Sequence, residues 1–314
     1  MRVIALLTLG VIAMLTSQAG AQSLVERLGH APTDKLLIIN CDDFGMSHAE
    51  NQATFDSLVN GVATSATVMM PCPWVPEVAR WRKDHPGAGL GVHLTLTSEW
   101  SGYRWAGVLG RELIPSLLDD DGYLPRDNEP LWEKADVDEA YAECRAQVER
   151  AIAMGLEPTH LDNHMGSIQT SAELWPIYLR LAEEFDLPVR MADAGLYAAM
   201  GEGGRRDIYA DKGILGPDVL IHGPWPLDIT PADGLDDVPR YYNDVLRWLK
   251  PGTVTELYLH TGIDGPELQA ISGSHERRQA DRDWLCAPET RALIDELGIT
   301  LINYRPIREL QRNN

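Results

Sequence analysis

Residues 35–47 read KLLIINCDDFGMS. Four apolar residues, Leu36 to Ile39, follow the opening lysine. Two adjacent carboxylates, Asp42 and Asp43, end the run, followed by Phe44 and Gly45. A short apolar run with β-branched residues is expected to form a buried strand. A buried carboxylate is costly unless it is paired or bound to a metal. In α/β barrels and open α/β sheets, ligands and catalytic groups gather at the C-terminal ends of strands. Asp42 and Asp43 therefore mark a candidate site, and other strands are expected to deliver matching groups to the same face.

Outward from this stretch, short apolar strands alternate with amphipathic helices. Strands are expected at 36–41, 64–70, 88–96, 158–162, 188–191, 218–222, 254–260 and 299–304. Ser47 and Glu50 have the spacing of a capping box and open a helix to about Asn60. Further helices are expected near 76–84, 137–154, 172–186 and 236–249, and over 275–297 with a break at Pro288. Asp136 and Glu139 cap the helix at 137. Residues 195–216 are Gly-rich and expected to be irregular. Residues 98–135 lack clean periodicity and read as an insertion over the site. About eight strands alternating with helices argue for an α/β fold with a parallel sheet, closed as a barrel or nearly so.

The N-terminus has one Arg, an apolar stretch from Val3 to Leu15, and small residues ending Ala19-Gly20-Ala21. That is the layout of a signal peptide cleaved after Ala21, which predicts export to the periplasm or the exterior. The stretch is short for a membrane span of ~20 residues. A leader, 22–34, then precedes one domain over 35–310. The hydrophobic content of 44% is enough for a real core. A net charge of −20 argues against nucleic acid or anionic lipid as a partner. After removal of the signal peptide no membrane association is expected. The four cysteines, Cys41, Cys72, Cys144 and Cys286, form no CxxC pair and read as small buried hydrophobes. Two carboxylates beside Cys41 suppress its thiolate and argue against a nucleophile.

Chemistry-bearing groups recur at strand ends. His93 sits late in the third strand, His160, Asp162 and His164 surround the end of the fourth, and His260 ends the seventh. In a barrel these converge with the Asp42–Asp43 pair. One carboxylate and two imidazoles form a ligand set for one catalytic divalent metal ion; Zn²⁺ suits it, and Mg²⁺ or Mn²⁺ remain open. His164 is preferred to His160 as a ligand because it lies nearer the mouth, and Asp162 suits the role of orienting a ligating histidine. His85 and His222 read as ordinary histidines. Asp43-Phe44-Gly45 has the letters of the kinase metal-binding triplet, but the Gly-rich loop and catalytic loop of a kinase are missing, as is the G-x-S-x-G elbow of a serine hydrolase.

Cys41-Asp42-Asp43-Phe44-Gly45, Gly91-Val92-His93-Leu94-Thr95-Leu96-Thr97 and Pro158-Thr159-His160-Leu161-Asp162-Asn163-His164 together resemble the YdjC-like carbohydrate deacetylases, the family of chitooligosaccharide and hopanoid-type deacetylases. Val254 to His260 and Gly298 to Tyr304 fit the same resemblance, which spans roughly residues 34–310. It implies a single-domain, irregular or incomplete TIM-like β/α barrel that removes an N-acetyl group from an amino sugar or oligosaccharide. It further implies Asp43, His93 and His164 as metal ligands, Asp42 as general base and His260, as imidazolium, as the acid for the leaving amine. His160 and Asp162 are expected near the ligands. The chain departs from many members at Met165-Gly166 after His164 and at Thr261-Gly262 after His260.

Trp74, Trp100 and Trp105, with Tyr103, are candidates to stack on sugar rings. A metal-dependent hydrolase of an ester or phosphoester and a non-catalytic secreted glycan-binding protein are the competing alternatives. A homodimer is left open.

Overall fold

A computed structural model describes residues 22–223 and 237–313. The expected signal peptide, 1–21, lies outside the described residues. Seven strands form one sheet among the described residues: β1 Lys35–Phe44, β2 Ser65–Val68, β3 Gly89–Leu94, β4 Leu161–Asn163, β5 Val219–His222, β6 Thr253–Leu259 and β7 Ile299–Leu301. The order is β4-β3-β2-β1-β6-β5, with β7 paired to the start of β1. Every pairing is parallel, so all strands have their carboxyl ends at the same end of the barrel. With helices around it, this curled sheet is an incomplete TIM-like barrel in a single α/β domain.

β1 organises the sheet. It pairs with β6 along Lys35–Cys41 on one side, and on the other with β7 at its base and β2 at its top. Its apolar residues Leu36 to Ile39 are fully buried, as a central parallel strand covered on both faces should be. The expected fifth strand, 188–191, makes only one bridge among the described residues, Val189 to Leu161, so the barrel wall is incomplete beyond β4.

Most helix expectations hold closely. Asp136 Oδ1 accepts from the backbone N–H of Asp138 and Glu139, capping the helix Val137–Ala153. Pro288 separates the helices His275–Cys286 and Pro288–Glu296, because proline cannot donate the backbone hydrogen bond a continuous helix needs there. The stretch expected to be irregular, 195–216, holds two short helices, Ala194–Ala199 and Arg205–Asp211, the first capped by Asp193. The leader segment is part of the fold: Val25, on the short helix Leu24–Arg27, packs with Leu36, Ile38, Val254, Tyr304 and Ile307. All four cysteines are free thiols, three of them buried.

Candidate active site

Adjacent residues on a regular strand point to opposite faces. Asp42 and Asp43 nevertheless line the same cavity, which lies at the carboxyl ends of the strands and has a volume of about 710 Å³. The register explains how. Cys41 stands opposite Ala66 and Phe44 opposite Val68, so β1 gains a residue between them. This bulge bends the strand and re-aims side chains. Asp43 also adopts φ 64°, a left-handed conformation that a non-glycine residue rarely takes without a functional reason.

Asp43, His93 and His164 come together in the cavity wall, all buried. Asp43 Oδ1 lies 3.4 Å from His93 Nε2 and 3.2 Å from His164 Nδ1, and the two ring nitrogens are 3.3 Å apart. With bonds of ~2.1 Å, ligand atoms on one ion stand ~3.0–3.4 Å apart between right-angle and tetrahedral arrangements. Asp43 Oδ1 is buried, and among the described residues it has no hydrogen bond of ordinary geometry. Donor type, spacing and an unsatisfied buried oxygen all fit a divalent cation. The electrostatics agree. Burial alone would lower both imidazole pKa values, yet Asp162 beside His93 and Glu99 beside His164 outweigh it, raising them to about 9 and about 10. The cluster favours positive charge at this spot, and a bound cation would displace those protons.

The other nitrogen of each ring is held. His93 and Asp162 are cross-strand neighbours on β3 and β4, and His93 Nδ1 is 2.7 Å from Asp162 Oδ2. Glu99, at the start of the 98–135 segment, places Oε2 3.0 Å from His164 Nε2.

Asp42 is held quite differently. Arg190 grips both of its oxygens, at 2.7 and 2.8 Å, and Asn40 donates to Oδ1 at 2.8 Å. Burial opposes ionisation, but the Arg190 guanidinium prevails and keeps the carboxyl at about 2. Arg190 also pairs with Asp162 at 2.6 Å and Glu256 at 2.8 Å, and lies over the Tyr258 ring. Glu256, in the middle of β6, is further held by the Tyr304 hydroxyl.

His260 follows β6, with Nε2 3.9 Å from Asp43 Oδ2. Its backbone N–H donates to Asp281, which also accepts from the Tyr242 hydroxyl. Burial, against the pull of Asp43, brings His260 down to about 4. Burial thus works against the imidazolium expected of His260 as the acid.

His160 lies apart from the ligand cluster, stacked on the Tyr304 ring at 3.7 Å. A side chain at Gly91 would fall 2.5 Å from its ring, so glycine there makes room for it. Of the aromatic candidates, Trp100 lines the cavity. Trp105 is only 3% exposed, its Nε1–H donating to the Thr97 carbonyl, and Trp74 sits outside the cavity against His48. Tyr103 packs on Trp105 and donates to the Met46 carbonyl.

Sequence reasoning missed Glu99, Arg190, Glu256 and Arg278. A signal existed for Glu256, a lone acid inside the apolar strand Val254–Leu259 that required a buried cation.

Residues 36–296 match the family described as YdjC-like protein. A carbohydrate deacetylase from Geobacillus stearothermophilus is 38% identical over 277 residues, covering 87% of this chain and 98% of the relative. One from Thermus thermophilus is 34% identical, covering 91% and 98%. The crystal structure of a proposed cellobiose-phosphate cleavage protein from Enterococcus faecalis superposes with a TM-score of 0.74 at 28% identity, covering 88% of this chain and 99% of that one. With the strand-end acids, the paired imidazoles and the incomplete barrel in place, the chain belongs to the YdjC-like family.

Proposed function

We propose that the protein is a carbohydrate deacetylase, a hydrolase of carbon–nitrogen bonds that removes the N-acetyl group of an amino sugar or oligosaccharide. The observation that carries this reading is the buried Asp43–His93–His164 triangle opening on the cavity beside Asp42, taken with the carbohydrate deacetylases to which the chain is similar over nearly its whole length. These three residues would hold one divalent metal ion. When bound, such an ion polarises an amide carbonyl and acidifies water.

The chain's own groups do the rest. Asp42, kept ionised by Arg190, accepts a proton from the attacking water. Asp162 and Glu99 fix the two imidazoles in orientation. As Asp42 later returns the water proton to solvent, His260 takes up one from solvent and becomes the imidazolium. It then donates to the nitrogen as the C–N bond breaks, leaving acetate and a free amine. Trp100 offers a face for a sugar ring. The apolar N-terminal stretch supports export, so the substrate would be met outside the cytoplasm.

The test is acetate release from N-acetylated chitooligosaccharides by purified protein. Release abolished by a chelator and restored by Zn²⁺ or Mg²⁺ is expected. A metal-loaded sample that releases no acetate from any amino sugar tested would contradict the reading.

A further inference from the structure

Ser47 and Glu50 have capping-box spacing, but only half of the box forms. Ser47 Oγ accepts from the Glu50 backbone at 3.2 Å. The Glu50 carboxylate turns away from the helix end, is buried, and meets Arg278 Nη1 at 2.5 Å. Burial pushes its carboxyl well up, although Arg278 opposes this. A buried acid that abandons a local cap must serve something else nearby.

Arg278 comes from the helix His275–Cys286 and is itself buried. Its Nη2 donates to Asp43 Oδ2 at 2.8 Å, across 235 residues of sequence. Its Nε donates to Ser274 Oγ at 3.0 Å, and its guanidinium lies 5.7 Å from the Trp100 ring centre. Gly262 packs on the arginine stem, where a side chain would stand 3.0 Å from Cβ. The guanidinium is thus fixed by partners from several elements, and one of its nitrogens points at the candidate metal ligand.

The two oxygens of Asp43 consequently differ. Oδ2 is engaged by Arg278. Oδ1 faces His93 and His164. We propose that the Glu50–Arg278 pair is a clamp that holds Asp43 to one-oxygen ligation, with Oδ1 for the metal and Oδ2 for the guanidinium. Arg278 and Glu50 are then positioning residues, acting through Asp43. Restricting Asp43 to one oxygen keeps a coordination position available, as catalytic sites require. The inference rests on the metal-site reading above, but not on the identity of the sugar.

The test is metal affinity of the full chain, measured by chelator competition, with Co²⁺ absorption as a second readout. Arg278→Met should weaken affinity by ~10–100-fold, the usual cost of losing a group that orients a ligand. It should also alter the Co²⁺ spectrum, as Asp43 becomes free to ligate through both oxygens. Arg278→Lys should restore part of the affinity through a single contact. Glu50→Gln, which keeps the shape and tests the clamp if Arg278→Met fails to fold, should shift both readouts in the same direction by less. Unchanged affinity and spectrum in a folded Arg278→Met or Glu50→Gln protein would overturn the clamp. No metal uptake by the native chain would overturn the clamp and the metal site together. Uptake with the expected shifts, but without acetate release, would support the clamp and contradict only the substrate reading.

Discussion

Asp42 and Asp43 are neighbours on one strand, both buried, and each meets a buried arginine. Arg190 takes both oxygens of Asp42, and Asn40 adds a third contact. Arg278 takes only one oxygen of Asp43 and leaves the other facing two imidazoles. Two chemically identical side chains are thereby given different capacities. Asp43 retains a lone-pair-bearing oxygen for a cation. Asp42, held through both oxygens, would be the ionised acceptor beside that cation. The β-bulge makes the contrast usable, since it brings both acids to one cavity instead of opposite faces of the sheet.

This contrast can be broken experimentally. If Asp42 serves as the base and not as a ligand, Asp42→Asn should cut acetate release by ~10²–10⁴-fold, the usual contribution of a positioned acid–base group. Steady-state turnover of the metal-loaded protein checks it, and near-native turnover would remove Asp42 from that role.

Arg190 is the shared counterion of Asp42, Asp162 and Glu256. Arg190→Met would leave three buried carboxylates without their cation and should destabilise the fold by ~3–5 kcal/mol, lowering the melting temperature by on the order of 10 °C. Arg145→Ala, which removes only exposed pairs with Glu149 and Glu184, should cost under ~1 kcal/mol. Equal melting temperatures for the two variants would contradict the assignment.

The smallest effect concerns acid. Asp42 titrates at about 2 in the fold against an ordinary value of 3.8. The folded state binds this proton more weakly than the unfolded chain does. Asp42 therefore adds stability that is complete above about pH 4 and is lost as the pH falls through about 2, worth on the order of 2 kcal/mol. Chemical denaturation at stepped pH should show a flatter acid limb in Asp42→Asn. An unchanged slope would mean that Arg190 does not hold Asp42 down.

How much of this was legible in the sequence depends on distance along the chain. The strand carrying Asp42 and Asp43 was legible because an apolar run that buries two acids at its end must pair them or bind them to a metal. His93 and His164 were legible because they recur at strand ends. Helix limits such as Val137–Ala153 and the break at Pro288 follow from local capping and proline chemistry. His160, only four residues before His164, is turned into a stack with Tyr304, a contact that spacing along the chain does not show. The partners of the two acids were not legible. Arg190 lies 148 residues from Asp42 and Arg278 lies 235 from Asp43. Periodicity reports which face a residue occupies, and carries no information about which distant charge it meets. Glu50 was hidden for a different reason, since a local cap with Ser47 already accounted for its spacing.

The contrast between the two acids is tested most directly by the metal content of Asp42→Asn and Asp43→Asn, purified side by side and measured by elemental analysis. About one divalent ion per chain is predicted in Asp42→Asn, as in the native protein, and almost none in Asp43→Asn. Metal retained in Asp43→Asn, or lost from a folded Asp42→Asn, would contradict the division of roles between them.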